Sequence, residues 1–279
     1  MYVRGQEENF KIIRVTHAQQ REDNFLSRFP LGKIPLLELP DGEIVVESQV
    51  ILSFLEESHR CTVGETSLIP DSPRVRMRMN LMIKIHDQYL SSPSCTQVGF
   101  THTQGCMYVP PPACVSVEAG SEAESVKSMA KTGRVMGLEE RALKLKDLDL
   151  QLSVLDEIAS RGEGPYLCGE QLSLADLTLF PTFCYINFLL PRVFDWPDPF
   201  YRSPFLGRWF RFLSSLGPQS ETESEGKSSP SPFLRVREEL ETELGKGQKK
   251  RDCDMIRAAL SRQKHESGQT EQTLKWVYP

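Results

Sequence analysis

The spacing of apolar residues changes character near residue 70. Before that point the runs are short and strand-like. Phe10–Val15 (FKIIRV) is rich in β-branched and aromatic residues and predicts a strand. Ile34–Leu39 (IPLLEL) predicts a second strand, with Pro35 at its start, where a missing N–H is tolerated. Pro40-Asp41-Gly42 is a tight turn into a third apolar run, Glu43–Val46. Val50, Ile51, Phe54 and Leu55 then fall on one face of a helix for which Ser48 is the expected N-cap. Together these elements make a hairpin closed by a helix, which is half of an α/β domain.

From Ser72 onward the period is helical. Val75, Met79, Met82, Ile83 and His86 recur at helical spacing, and Pro73 suits a first turn. A further helix is expected from Leu138 to Ile158, where Leu138, Ala142, Leu145, Leu148, Leu152, Leu155 and Ala159 recur by threes and fours. Others are expected from Leu174 to about Leu190, from Pro204 to Leu216, and as one or two helices within Phe233–Leu260. Two stretches break the pattern. Residues 91–134 carry Pro93, Gly99, Gly105 and Pro110–Pro112 and read as an insertion between helices, while Ser220–Ser231 is polar and without aromatics. The expected division is a domain over residues 1–62 and an all-α domain over residues 70–279.

Composition narrows the function classes. A net charge of −5 excludes a general nucleic-acid binder, and the basic run Lys249-Lys250-Arg251 is too short to change that. No apolar run approaches the ~18 residues of a membrane span, and the first residues lack the apolar stretch of a secretory signal. Seven scattered cysteines fit free thiols in a reducing compartment, so a cytoplasmic location is expected. Cys95, His102, Cys106 and Cys114 are types that bind zinc, but they form no CxxC pair, and no metal site is expected. Met77, Met79 and Met82 read as core packing.

Two segments carry a family resemblance. Phe29-Pro-Leu-Gly-Lys-Ile-Pro, with Glu47-Ser48-Gln49 following, resembles the glutathione-binding half of the cytosolic glutathione S-transferase N-terminal domain. Tyr166-Leu-Cys-Gly-Glu-Gln-Leu-Ser-Leu-Ala-Asp-Leu is similar to the family's C-terminal signature, in which a Ser-x-x-Asp box starts the central buried helix. Trp209 in Pro204-Phe-Leu-Gly-Arg-Trp-Phe resembles the helix that follows. The resemblance implies an α+β fold: a partial thioredoxin-like α/β domain without its opening strand, then an all-α helical bundle.

It also implies a site. The residue before a cis-proline, here Ile34 before Pro35, would pair its backbone with the cysteinyl unit of glutathione as an added strand does. Ser48 at a helix start would hold the γ-glutamyl carboxylate, Glu47 the ammonium, and Lys33 the glycyl end. Each has a plainer reading: Ser48 as a helix cap, Lys33 as a solvated loop charge, Glu47 as a surface carboxylate. His86 and Tyr89 lie on the helix that borders the second-substrate pocket in relatives, and His86 alone reads as a packed histidine. Ser173 and Asp176 read as a structural capping box, with Leu172 and Leu177 as its hydrophobic staple.

The implied activity is addition of the glutathione thiol to a small electrophile, with glutathione as substrate, no cofactor, and a homodimer formed through the helix at residues 73–90 and the N-terminal domain. Ionising that thiol near neutral pH requires lowering its pKa by about two units, or about 2.7 kcal/mol. In the family a Ser, Tyr or Cys at the start of the first helix does this. Here nine residues precede the run at Phe10, and that residue has no counterpart; Tyr2 falls at the wrong end of the helix. A shortened chain, a non-catalytic relative and a partner filling the gap all remain open. The alternatives in function are a scaffold module like that of an elongation-factor gamma subunit, a zeta-type maleylacetoacetate isomerase, and omega-type dehydroascorbate reduction.

Overall fold

The computed structural model describes residues 2–16, 19–63, 66–90, 138–216 and 231–266. It divides into two compact units, Met1–Asp71 and Ser72–Pro279.

The first unit opens with two short 3-10 turns, Tyr2–Arg4 and Glu7–Asn9. The run at Phe10–Val15, expected as a strand, is not one. It forms no ladder in the described structure, and Ile12 and Ile13 are each 68% exposed. A strand exists only through a partner, and the sheet here has just two members, paired with each other. After the 3-10 turn Gln19–Arg21 comes α1 (Asp23–Arg28), held to the next strand by an ion pair between Arg28 and Glu38. Strands β1 (Leu36–Glu38) and β2 (Ile44–Val46) form the expected antiparallel hairpin, with Leu36 opposite Val46 and Glu38 opposite Ile44. Gly42 sits in the turn at φ +91°, a conformation that a side chain would strain. Helix α2 (Ser48–Val63) packs back on both strands.

The elements described in the second unit are helices, with one isolated bridge between Tyr166 and Gly169 in a connection. Helix α3 (Pro73–Ile85) starts after Ser72 with Pro73 in its first turn and runs into a π-helical turn, His86–Leu90. The insertion expected at residues 91–134 lies outside the described residues. Helix α4 (Leu138–Ser160) buries Leu145, Leu148, Leu152, Leu155 and Ala159, as its spacing predicts. Helix α5 (Leu174–Phe194) runs four residues past its expected end, and Asp195 then turns the chain at φ +56°. Its length and apolarity would suffice to cross a bilayer. Twelve of its residues are instead buried in the unit, against α3, α7 (Pro232–Leu244) and α8 (Gly247–Glu266). That packing carries the helix through Pro181, whose ring removes the N–H that would bond the Leu177 carbonyl.

Helix α6 (Pro204–Ser215) completes an aromatic core around α5. Phe183 stacks on Phe200 at 5.2 Å, and Phe180 meets Phe233 edge-on at 4.9 Å. Trp209 meets Phe183 edge-on at 5.1 Å. Each such pair contributes about 0.5–1.5 kcal/mol beyond burial of its area. Most of the polar stretch expected at Ser220–Ser231 lies outside the described residues, but Ser231 is described and is buried before α7.

Candidate functional site

The hairpin register brings the expected binding residues to one place. Leu36 is paired with Val46, so Pro35 and Glu47 are the next residues outward on the two strands. Lys33 and Ile34 lie just beyond one, Ser48 just beyond the other. The Ile34–Pro35 peptide bond is cis. Ile34 is 49% exposed, and its backbone N–H and C=O make no backbone hydrogen bond among the described residues.

Glu47 bends the chain from β2 into α2 with φ +70°, in the left-handed region that residues other than glycine seldom occupy. Its carbonyl accepts the Ile51 N–H at 3.0 Å, the first bond of the helix. Glu47 therefore holds the cap position, and Ser48, expected as the cap, is the first helical residue. The Ser48 hydroxyl is released from capping. Lys33, Glu47 and Ser48 are all exposed and have no side-chain hydrogen bond or ion pair among the described residues. The first N–H groups of α2 are the unsatisfied donors of any helix start and sit at its positive end. One end of the hairpin thus offers an ammonium, a carboxylate, a hydroxyl, free helix-start N–H groups and an unpaired strand edge.

Two other residues singled out in the sequence, Asp176 and His86, are buried and bonded within the fold. Asp176 is fully buried at the start of α5 and accepts four hydrogen bonds. The Leu167 N–H (2.9 Å) and Trp209 Nε1 (2.8 Å) donate to its Oδ1. The Ser173 N–H (2.9 Å) and hydroxyl (2.8 Å) donate to its Oδ2. Burial pushes its carboxyl pKa up, while the donors from Leu167, Ser173 and Trp209 pull it back. The capping box with Ser173 was legible in the sequence; the links to Leu167 and Trp209 were not. Spacing along one helix cannot show that a tryptophan from another helix ends on its first turn.

His86 is buried, with Nδ1 2.8 Å from Asp87 Oδ1 and Nε2 2.8 Å from Thr182 Oγ1 on α5. It packs α3 against α5. Tyr89, its expected partner in a second-substrate pocket, is 49% exposed. The candidate zinc ligands Cys95, His102, Cys106 and Cys114 lie outside the described residues. Cys168 and Cys184 are buried, and burial pushes their thiols up to about 11 and about 12.

The glutathione S-transferase N-terminal domain matches residues 5–58, and the C-terminal domain of the same family matches residues 139–212. The probable glutathione S-transferase BZ2 of Zea mays is 34% identical over 71 residues, which is 24% of this chain and 30% of the maize protein. A diazinon-metabolizing glutathione S-transferase of the silkworm Bombyx mori superimposes with a TM-score of 0.53 at 18% identity, covering 84% of this chain and 86% of that one. A glutathione transferase homolog from Sulfitobacter, solved with bound glutathione, gives a TM-score of 0.50 at 18% identity, covering 81% and 84%. At such identities the structural likeness shows the fold: a thioredoxin-like N-terminal domain and a helical C-terminal domain. Both domain models of the glutathione S-transferase family thus match this chain, in the family's order, and the chain is similar to that family in each of them.

Proposed function

We propose that the chain binds glutathione at the open end of the β1–β2 hairpin and presents its thiol to a small electrophile. The carrying observation is the register that sets Lys33, Ile34 and Pro35 beside Glu47 and Ser48, with their polar groups uncommitted. Each part of the tripeptide has a partner there. The cysteinyl unit pairs with the Ile34 backbone as an added strand. The γ-glutamyl carboxylate sits on the Ser48 hydroxyl and the first N–H groups of α2, and Glu47 takes its ammonium. Lys33 meets the glycyl carboxylate. The bound glutathione of the Sulfitobacter homolog supports this choice of ligand.

A second reading is binding without turnover, as a scaffold. The proposed site commits Lys33, Ile34, Glu47 and Ser48 to the backbone and charged ends of the tripeptide and assigns no hydrogen-bond donor to its thiol. Calorimetry with glutathione, run beside conjugation of a generic aryl halide, separates the readings. Binding with turnover supports the transferase, and binding without turnover supports the scaffold. A folded chain that binds no glutathione overturns both. The same reading makes the protein a cytoplasmic homodimer that needs no cofactor. Met79 and Met82 are core residues as expected, but Met77 is exposed on α3 beside Leu81, and this apolar pair supports the dimer.

A further inference from the structure

The first unit buries very little apolar surface. Among its described residues only Ile51 and Leu68 are buried apolar side chains. Two others are buried, and both are polar residues of α2: Glu56 at 4% exposure and His59 at 6%. Each is met by a side chain from the first turns of the chain. Arg4 grips Glu56 with two nitrogens, Nη2 to Oε1 at 2.7 Å and Nε to Oε2 at 3.2 Å. Gln6 Nε2 lies 2.5 Å from His59 Nδ1. The same carboxylate oxygen of Glu56 accepts the Leu68 N–H at 2.8 Å, and Arg4 Nη2 also donates to the Thr66 carbonyl at 2.9 Å. Three stretches far apart in sequence thus meet at one buried ion pair, whose side chains are 13% and 3% exposed.

We infer that Arg4 and Glu56 are positioning residues for glutathione, acting through α2; the inference rests on the half-site proposed above. Glu56 lies eight residues along α2 from Ser48, about 12 Å at the helical rise, so neither residue touches the ligand. Their effect is on the helix. Glutathione spans the Ile34 edge and the first turn of α2, so its affinity depends on those two elements keeping their separation. With so few apolar anchors, the polar clamp holds the far half of α2, and through the rigid helix its seat on both strands. Such bonds are strong because they are charge-assisted and shielded from water.

The test measures glutathione affinity by calorimetry for Arg4→Ala, Glu56→Gln and the double variant, with amide hydrogen exchange of α2 in the unliganded chain. Each single change is expected to weaken binding by about tenfold, equivalent to about 1.4 kcal/mol. The double variant should be no weaker than the worse single one, because both break one clamp. Arg4→Lys should recover part of the loss, and α2 amides should exchange faster in Arg4→Ala and Glu56→Gln. All three tryptophans lie in the second unit, so an unchanged fluorescence unfolding curve shows that the bundle is intact. Wild-type affinity in both single variants overturns the inference, as does full additivity of their effects. If wild-type protein binds no glutathione while the variants still speed exchange in α2, the half-site reading falls and the clamp on α2 stands.

Discussion

Among the described residues, Met1–Asp71 buries two apolar and two polar side chains, whereas Ser72–Pro279 buries thirty-two apolar ones. The two units are therefore held by different forces. In the second, burial at roughly 25 cal/mol per Å² and close aromatic packing dominate, and polar groups such as Asp176 serve to fix where helices start. In the first, hydrogen bonds and the Arg4–Glu56 and Arg28–Glu38 ion pairs do much of the positioning, and apolar residues such as Ile12, Ile13 and Ile34 remain exposed. A unit of that kind keeps polar groups free for a ligand. A well-filled bundle has fewer to spare: the carboxylate at the head of α5 has all its acceptor capacity used by the fold.

The sharpest way to break this contrast is at Asp176. Replacing it with alanine leaves the Leu167 N–H, the Ser173 N–H and hydroxyl, and Trp209 Nε1 buried without their acceptor. The expected loss is about 3–5 kcal/mol, seen as a lower urea midpoint by tryptophan fluorescence. A loss below about 1 kcal/mol would mean that burial alone holds the second unit.

Alkaline pH gives a smaller effect, also confined to the second unit. The Cys168 and Cys184 thiols are raised from 9.0 to about 11 and about 12 by burial. A group whose folded pKa is raised stabilises the fold fully below its unfolded value and stops doing so as pH rises through the folded value. Stability should therefore fall from pH 9 upward, by about 3 kcal/mol for the two thiols together at pH 10, as each pKa unit is worth about 1.4 kcal/mol. A Cys168→Ala, Cys184→Ala double variant should flatten that slope. If it keeps the full slope, the thiols are not its cause.

How well the sequence could be read follows the same division. Helices of the second unit were legible because a filled core imposes its period on the chain. The series from Leu145 to Ala159 is the clearest instance, and α5 was missed only at its C-terminal end, where Asp195 terminates it. The first unit was legible where local chemistry decides: Pro35 before β1, the turn at Asp41-Gly42, and Glu47-Ser48 at the head of α2. It was misread where structure depends on a distant partner. The FKIIRV run has strand composition but pairs with no strand among the described residues, and nothing local marks Arg4 as a partner of Glu56. The position of the cap was off by one residue, because a positive φ at a glutamate is a cost that no propensity scale anticipates.

The smallest effect compares one residue type across the two units. Ser48 and Ser173 both stand at helix starts, within one position of the cap. Ser173 is buried, in the cap position, and tied to Asp176, so Ser173→Ala should cost about 1–2 kcal/mol of stability in urea unfolding. Ser48 is exposed, one residue inside the helix, and its hydroxyl bonds nothing among the described residues. Ser48→Ala should then leave stability within about 0.5 kcal/mol of wild type. It should nonetheless weaken glutathione binding in calorimetry, by about tenfold if one hydrogen bond to a charged group is lost. Equal destabilisation by the two changes would make Ser48 a second structural cap and remove the hydroxyl from the binding site. A serine at a helix start that the fold does not use is free for a ligand, and this pair of variants measures that freedom directly.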